Sequence, residues 1–104
     1  MKSLALALLF PIAALAADNE FALVISEHRF DPAELTVPAG QKIKLKIENR
    51  DATPEEFESH ALNREKVIPG KSSAVVYVGP LDPGRYPFFG EFHEKTAQGV
   101  IIAK

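Results

Sequence analysis

No cysteine occurs anywhere in the 104 residues. A disulfide framework, a thiolate metal site and a cysteine nucleophile are all closed to this chain, and with them goes the ligand set of a copper centre that relies on a Cys sulfur. Tryptophan is also absent, and the single methionine is Met1. With no Trp to stack on a sugar ring and a domain small for a sugar cleft, acid–base hydrolysis of glycosides by paired carboxylates is disfavoured. A strong charge of one sign is missing too: twelve Lys and Arg stand against fourteen Asp and Glu. The basic residues are scattered, so nucleic acid is not an expected partner. No internal repeat, low-complexity tract or long helical period interrupts the chain.

The N-terminus is where the compartment is written. Met1-Lys2-Ser3 is a short positive start, Leu4 to Leu15 is an apolar run broken by Pro11, and Ala14-Leu15-Ala16 has the small-x-small pattern of a signal-peptidase site. This predicts a cleaved signal peptide over 1–16, a mature domain over 17–104, and a periplasmic location. The run is shorter than the ~20 residues a spanning helix needs, so stable membrane insertion is not expected. Removing Lys2 leaves eleven basic against fourteen acidic residues, a net charge of −3.

The mature chain reads as strands and turns. Phe21 to Ser26 is a first strand rich in β-formers, interrupted at Asp31-Pro32; Leu35 to Val37 is a short second one; and Pro38-Ala39-Gly40-Gln41 is a tight turn. Lys42 to Glu48 alternates without a fault, with Ile43, Leu45 and Ile47 inward and Lys42, Lys44, Lys46 and Glu48 outward. Its lysine face is expected to be a solvated edge that resists pairing with another sheet. Further strands follow at Glu55–Ser59, Glu65–Ile68, Ser72–Val78, Tyr86–Phe92 and Gly99–Ala103, separated by Pro- and Gly-rich turns, with room for a helical turn over 59–64. Seven or eight short strands at such spacing predict an all-β, antiparallel sandwich.

Two acidic stretches then carry the chemistry. If Phe57 enters the core, the pleat sends Glu56 and Glu58 together to the opposite face. Near the C-terminus, Glu91 and His93 share a side if the segment is extended. Crowded carboxylates raise one another's pKa unless a cation joins them, so a metal site of Glu56, Glu58, Glu91 and His93 is expected, with Glu65 near enough to support or complete it. Carboxylates plus one imidazole suit iron, manganese or oxidised copper. Glu55 and Glu94 are read as surface residues, and His28 and His60 as loop or surface histidines.

At these residues the chain resembles the cupredoxin family over almost its whole mature length. Phe30 to Gly40 looks like that family's second strand and turn, and Tyr86 to Val100 like its metal loop, a strand leading into Cys, His and Met. His93 falls on the copper-binding His of that pattern, Gly90 stands where the Cys should be, and no Met lies between Ala97 and Gly99. The resemblance implies a Greek-key sandwich without implying blue-copper electron transfer. Glu56 to Ser59, Asn63 to Gly70 and Leu81 to Tyr86 are similar to the cupredoxin domain of EfeO-type periplasmic iron proteins, and closer still to the small cupredoxin of Ftr-type iron uptake systems. What this implies is a periplasmic carrier or oxidant of ferrous iron, with iron or copper as its metal. Its partners would be a second periplasmic metal-binding protein and an inner-membrane permease. The alternative is a copper-binding or metal-free adaptor. No catalytic residues are expected beyond an accessory part in oxidising Fe(II).

Overall fold

The computed structural model describes residues 19–104; the expected signal peptide lies outside them. Nine strands and one short 3₁₀ turn make up the described chain: β1 (Glu20–Ser26), β2 (Arg29–Asp31), β3 (Glu34–Val37), β4 (Ile43–Asn49), β5 (Glu55–Ser59), β6 (Arg64–Ile68), β7 (Ser72–Val78), β8 (Gly84–Gly90), the 3₁₀ turn (Glu91–His93) and β9 (Gln98–Ala103). They form two sheets, one of four strands in the order β2-β1-β4-β7 and one of five in the order β3-β9-β8-β5-β6. Their inner faces share one core, in which Leu23, Ile25, Ile43, Leu45, Ile47, Phe57, Ile68 and Ile101 are fully buried. Phe30, Phe57 and Phe88 meet in it edge to face and stacked, with centroids 4.9–6.2 Å apart. This aromatic knot fixes β5 against β8, the two strands that bear on the candidate site.

The sandwich is the expected all-β one, with two differences. The sheets are mixed, not purely antiparallel: β1 runs parallel to β4, and β3 parallel to β9. Parallel neighbours need a crossover, and here the chain makes it by passing through the other sheet. The additional strand is β2, which pairs back on β1 with Ser26 opposite Arg29. Only Glu27 and His28 lie between them, both at positive φ (54° and 58°), as a two-residue hairpin turn requires. Asn-Gly is the usual pair for such a turn, and Glu-His gave no signal of one. The carboxylate of Asp51 supports the conformation by accepting the backbone N–H of Glu27 (2.8 Å) and of His28 (3.0 Å). Burial acts to raise the Asp51 pKa, but those two backbone hydrogen bonds and the nearby imidazoles outweigh it, and the carboxyl lies below its ordinary value.

The lysine strand also sits differently. β4 is hydrogen-bonded on both sides, to β1 and β7, so it is not an edge. Its buried alternation holds as expected at Ile43, Leu45 and Ile47, and its lysines line the outer face of the four-stranded sheet. Lys42 stands 4.8 Å above the ring of Tyr77, a cation–π contact on that face.

Candidate metal centre

Strand β5 alternates buried and half-buried residues along its whole length: Glu55, Phe57 and Ser59 turn inward, Glu56 and Glu58 outward. On the outer face its pairing with β6 sets Glu58 directly opposite Glu65 and Glu56 opposite Val67. Pairing with β8 sets Phe57 opposite Gly90 and Glu58 opposite Phe89. Immediately after Gly90 the chain tightens into the 3₁₀ turn that Glu91 begins. The result is that one carboxylate oxygen from each of Glu56, Glu58, Glu65 and Glu91 lies within 4.8 Å of the others. The cluster is therefore carried on the face of the five-stranded sheet, mainly by paired strands, which hold ligands more precisely than loops.

Like charges set directly across a strand pair repel, and the electrostatics of the cluster show it. The Glu56 carboxyl is pushed up to about 7, first by its hydrogen bond with the Glu91 carboxyl, then by burial, and then by Glu65 and the two neighbouring charges. Glu58 is raised as well, by burial and then by the charge and hydrogen bond of Glu65 and of Glu91. Without a cation, proton uptake at Glu56 and Glu58 is what relieves that repulsion. A metal ion of two or three positive charges would offset it more fully, since it could meet all four carboxylates at once. Oxygen donors alone suit hard ions such as Mg(II), Ca(II), Mn(II) and Fe(III).

The structure gathers four of the five expected ligands, and Glu65 stands among them on an equal footing. His93 is placed in a second group. Its Nδ1–H donates to Glu55 Oε2 at 2.6 Å, and its ring stacks on that of His28 at 3.6 Å and 12°. Glu91 and His93 do not share one side of an extended strand, since both lie in the 3₁₀ turn. Glu55, expected at the surface, is 1% exposed. The signal for this was present: the same pleat that sends Glu56 and Glu58 outward carries Glu55 inward with Phe57. His60 is exposed at the rim, its Nδ1 4.0 Å from Glu58 Oε2. Glu94 is exposed and outside the cluster.

Known proteins share this architecture. The family model for the cupredoxin-like domain matches residues 1–103, and the chain belongs to that family. A relative, Uncharacterized protein RP394 of Rickettsia prowazekii (strain Madrid E), is 48% identical over 83 residues, which are 80% of this chain and 66% of that protein. The chain thus spans just under two thirds of the length of that relative. Among solved structures, auracyanin A, a "blue" copper protein of Chloroflexus aurantiacus, is similar with a TM-score of 0.71 and 18% identity, over 82% of this chain and 98% of that one. The purple cupredoxin of Nitrosopumilus maritimus gives 0.61 at 15% identity, over 80% and 98% of the two chains. Amicyanin of Paracoccus versutus gives 0.65 at 14% identity, over 83% and 82%. At such identities the likeness is one of fold.

Auracyanin A, which shares that fold, is a copper protein, and the residues present here do not fit a copper–thiolate centre. Gly90 is the position that the sequence resemblance sets against the family's Cys, and a Cβ there would lie 2.7 Å from Ala97 Cβ and 2.7 Å from Glu55 Cδ. Protein atoms fill the space a thiolate would take. The imidazole that matches the copper-binding His is tied to the Glu55 carboxylate.

Proposed function

We propose that this chain is a metal-binding cupredoxin-like protein of an iron uptake system, which takes up ferrous iron as cargo on Glu56, Glu58, Glu65 and Glu91. In this reading it is exported to the periplasm by a signal peptide over 1–16. There it works with a second periplasmic metal-binding protein and passes iron to an inner-membrane permease. The observation that carries the metal-binding step is the convergence of four carboxylate oxygens within 4.8 Å on one sheet face. The motifs at Glu56–Ser59, Asn63–Gly70 and Leu81–Tyr86, similar to those of iron uptake cupredoxins, support the assignment to iron.

Four anionic groups stabilise Fe(III) over Fe(II) by Coulomb attraction, which makes loss of the electron easier. That electron goes to dioxygen or to copper on the partner protein, because this chain has no Cys, Trp or flavin motif to take it. The protein is then an accessory to oxidation and not the oxidase. We expect slow Fe(II) loss under air with the isolated protein, and faster loss when the second periplasmic protein and copper are added. Glu58→Gln should lower the rate in the full mixture. If it leaves that rate unchanged, iron is not oxidised at this cluster, and the protein is a carrier or adaptor. If the protein takes up none of Fe(II), Mn(II) or Cu(II), only a metal-free adaptor remains.

A further inference from the structure

Glu55 is the acid that the metal reading leaves without a task. Its carboxylate is buried inside the fold and faces three donors at once. Oε1 accepts the backbone N–H of Glu56 at 3.0 Å and that of Phe92 at 2.9 Å, and Oε2 accepts Nδ1–H of His93 at 2.6 Å. Two of these donors flank the cluster. The first belongs to the backbone of a cluster residue on β5; the second follows Glu91 directly in the 3₁₀ turn. Among the described residues no main-chain pairing extends β8 past Gly90 along β5, and this carboxylate joins the backbone of β5 to that of the turn that carries Glu91.

His93 is held as firmly on its own side. Its carbonyl accepts the N–H of Ala97 at 2.9 Å and of Thr96 at 3.2 Å. Its ring packs flat on His28, and Thr96 Oγ1 donates to the His28 carbonyl at 2.6 Å. The His28 N–H is in turn fixed by Asp51 Oδ2. The Glu55 carboxylate is thus bonded to an imidazole that is itself stacked on His28, and it rests in the space left by the missing side chain of Gly90.

We propose that Glu55, clamped by His93, is the positioning residue of the carboxylate cluster: one buried carboxylate joins the backbones of Glu56 and Phe92, so that Glu56 and Glu91 meet on the face of the five-stranded sheet. His93 then serves the metal from behind the ligands and not as one of them. Groups that orient metal ligands through hydrogen bonds commonly change metal affinity 10–100-fold when removed. The inference rests on the metal-binding reading above, and the test separates the two.

The probe is Mn(II), titrated into the purified protein and its variants and followed by electron paramagnetic resonance, with metal-free melting recorded for each. Glu55→Ala should weaken Mn(II) binding about 10–100-fold and alter the line shape of the bound ion. Glu55→Gln, which keeps an oxygen for the two backbone donors, should recover most of the affinity. His93→Gln should weaken binding and alter the same line shape. Because His93 is partly exposed, that variant stays informative even if Glu55→Ala fails to fold. A purely structural role would lower the melting point and leave the bound-ion line shape as in the wild type. If Glu55→Ala and His93→Gln bind Mn(II) as the wild type does while Glu58→Gln binds weakly, the positioning role is wrong and the metal site stands. If Glu58→Gln also binds as the wild type does, the metal site is wrong and the positioning role falls with it.

Discussion

Changing both Glu58 and Glu65 to Gln is expected to raise the melting midpoint of the metal-free protein and to abolish the stabilisation that Mn(II) gives the wild type. These two carboxylates face each other across the β5–β6 pair, and each variant side chain keeps the shape while removing the repulsion. For the metal-free protein we expect a gain of roughly 2–5 °C, the scale of one relieved cross-strand contact in a small domain. The metal effect is larger. A ligand present at a hundred times its Kd adds about 2.7 kcal/mol, or roughly 10–20 °C for a domain of this size. The double variant should lose that shift. A wild type whose midpoint does not move with Mn(II) contradicts the expectation.

The same cluster dictates the pH dependence. Glu56 in the folded protein holds its proton up to about pH 7, whereas in the unfolded chain it releases it near 4.5. Between those values the folded state binds more protons, so stability falls as pH rises. The advantage is complete below pH 4.5 and gone above about 7. Metal-free protein should therefore melt higher at pH 5 than at pH 8, while Mn(II), which competes with that proton, should bind more tightly at pH 8. A metal-free midpoint that is flat over this range would show that the carboxylates do not interact as the geometry requires.

With copper the expected result is an absence. Cu(II) added to the wild type should give pale nitrogen and oxygen spectra and none of the intense blue absorption of a copper–thiolate bond. Supplying the thiol at the matching position should not repair this. In Gly90→Cys the new Cβ meets Ala97 and Glu55 at 2.7 Å, closer than real Cβ atoms approach, so the variant should lose about 1–3 kcal/mol of stability by overpacking. It also displaces Glu55, which joins β5 to the 3₁₀ turn. A stable Gly90→Cys protein that turns blue with copper would mean that the site had kept the room and the ligands of its copper-binding relatives.

The sandwich was legible because its strands alternate: Ile43, Leu45 and Ile47 announce their buried face, and Pro and Gly mark the turns at Pro38–Gln41, Pro69–Lys71 and Gly79–Gly84. Sheet order was not legible, since the parallel neighbours of β1 and β3 are fixed by packing between distant segments. The β2 hairpin escaped notice because its turn uses Glu27-His28, whose conformation depends on Asp51, more than twenty residues away. At the site, the outward pair Glu56 and Glu58 followed from one aromatic, Phe57, and the pleat. Glu65 joined them through the β5–β6 register, which spacing alone suggested only loosely. The place of His93 was not to be read from its neighbours, because it depends on a 3₁₀ turn after Gly90 and on an inward Glu55.

The most direct measurement is equilibrium binding of Fe(II) under anaerobic conditions, with Mn(II) in parallel, to the wild type and to Glu56→Gln, Glu58→Gln and Glu65→Gln. One ion bound per chain is expected for the wild type. Each variant should lose affinity by at least about tenfold, the scale of one charge-assisted contact of about 1.5–3 kcal/mol. Wild-type protein that binds neither ion, or carboxylate variants that bind both as tightly as the wild type, would contradict the metal-binding reading.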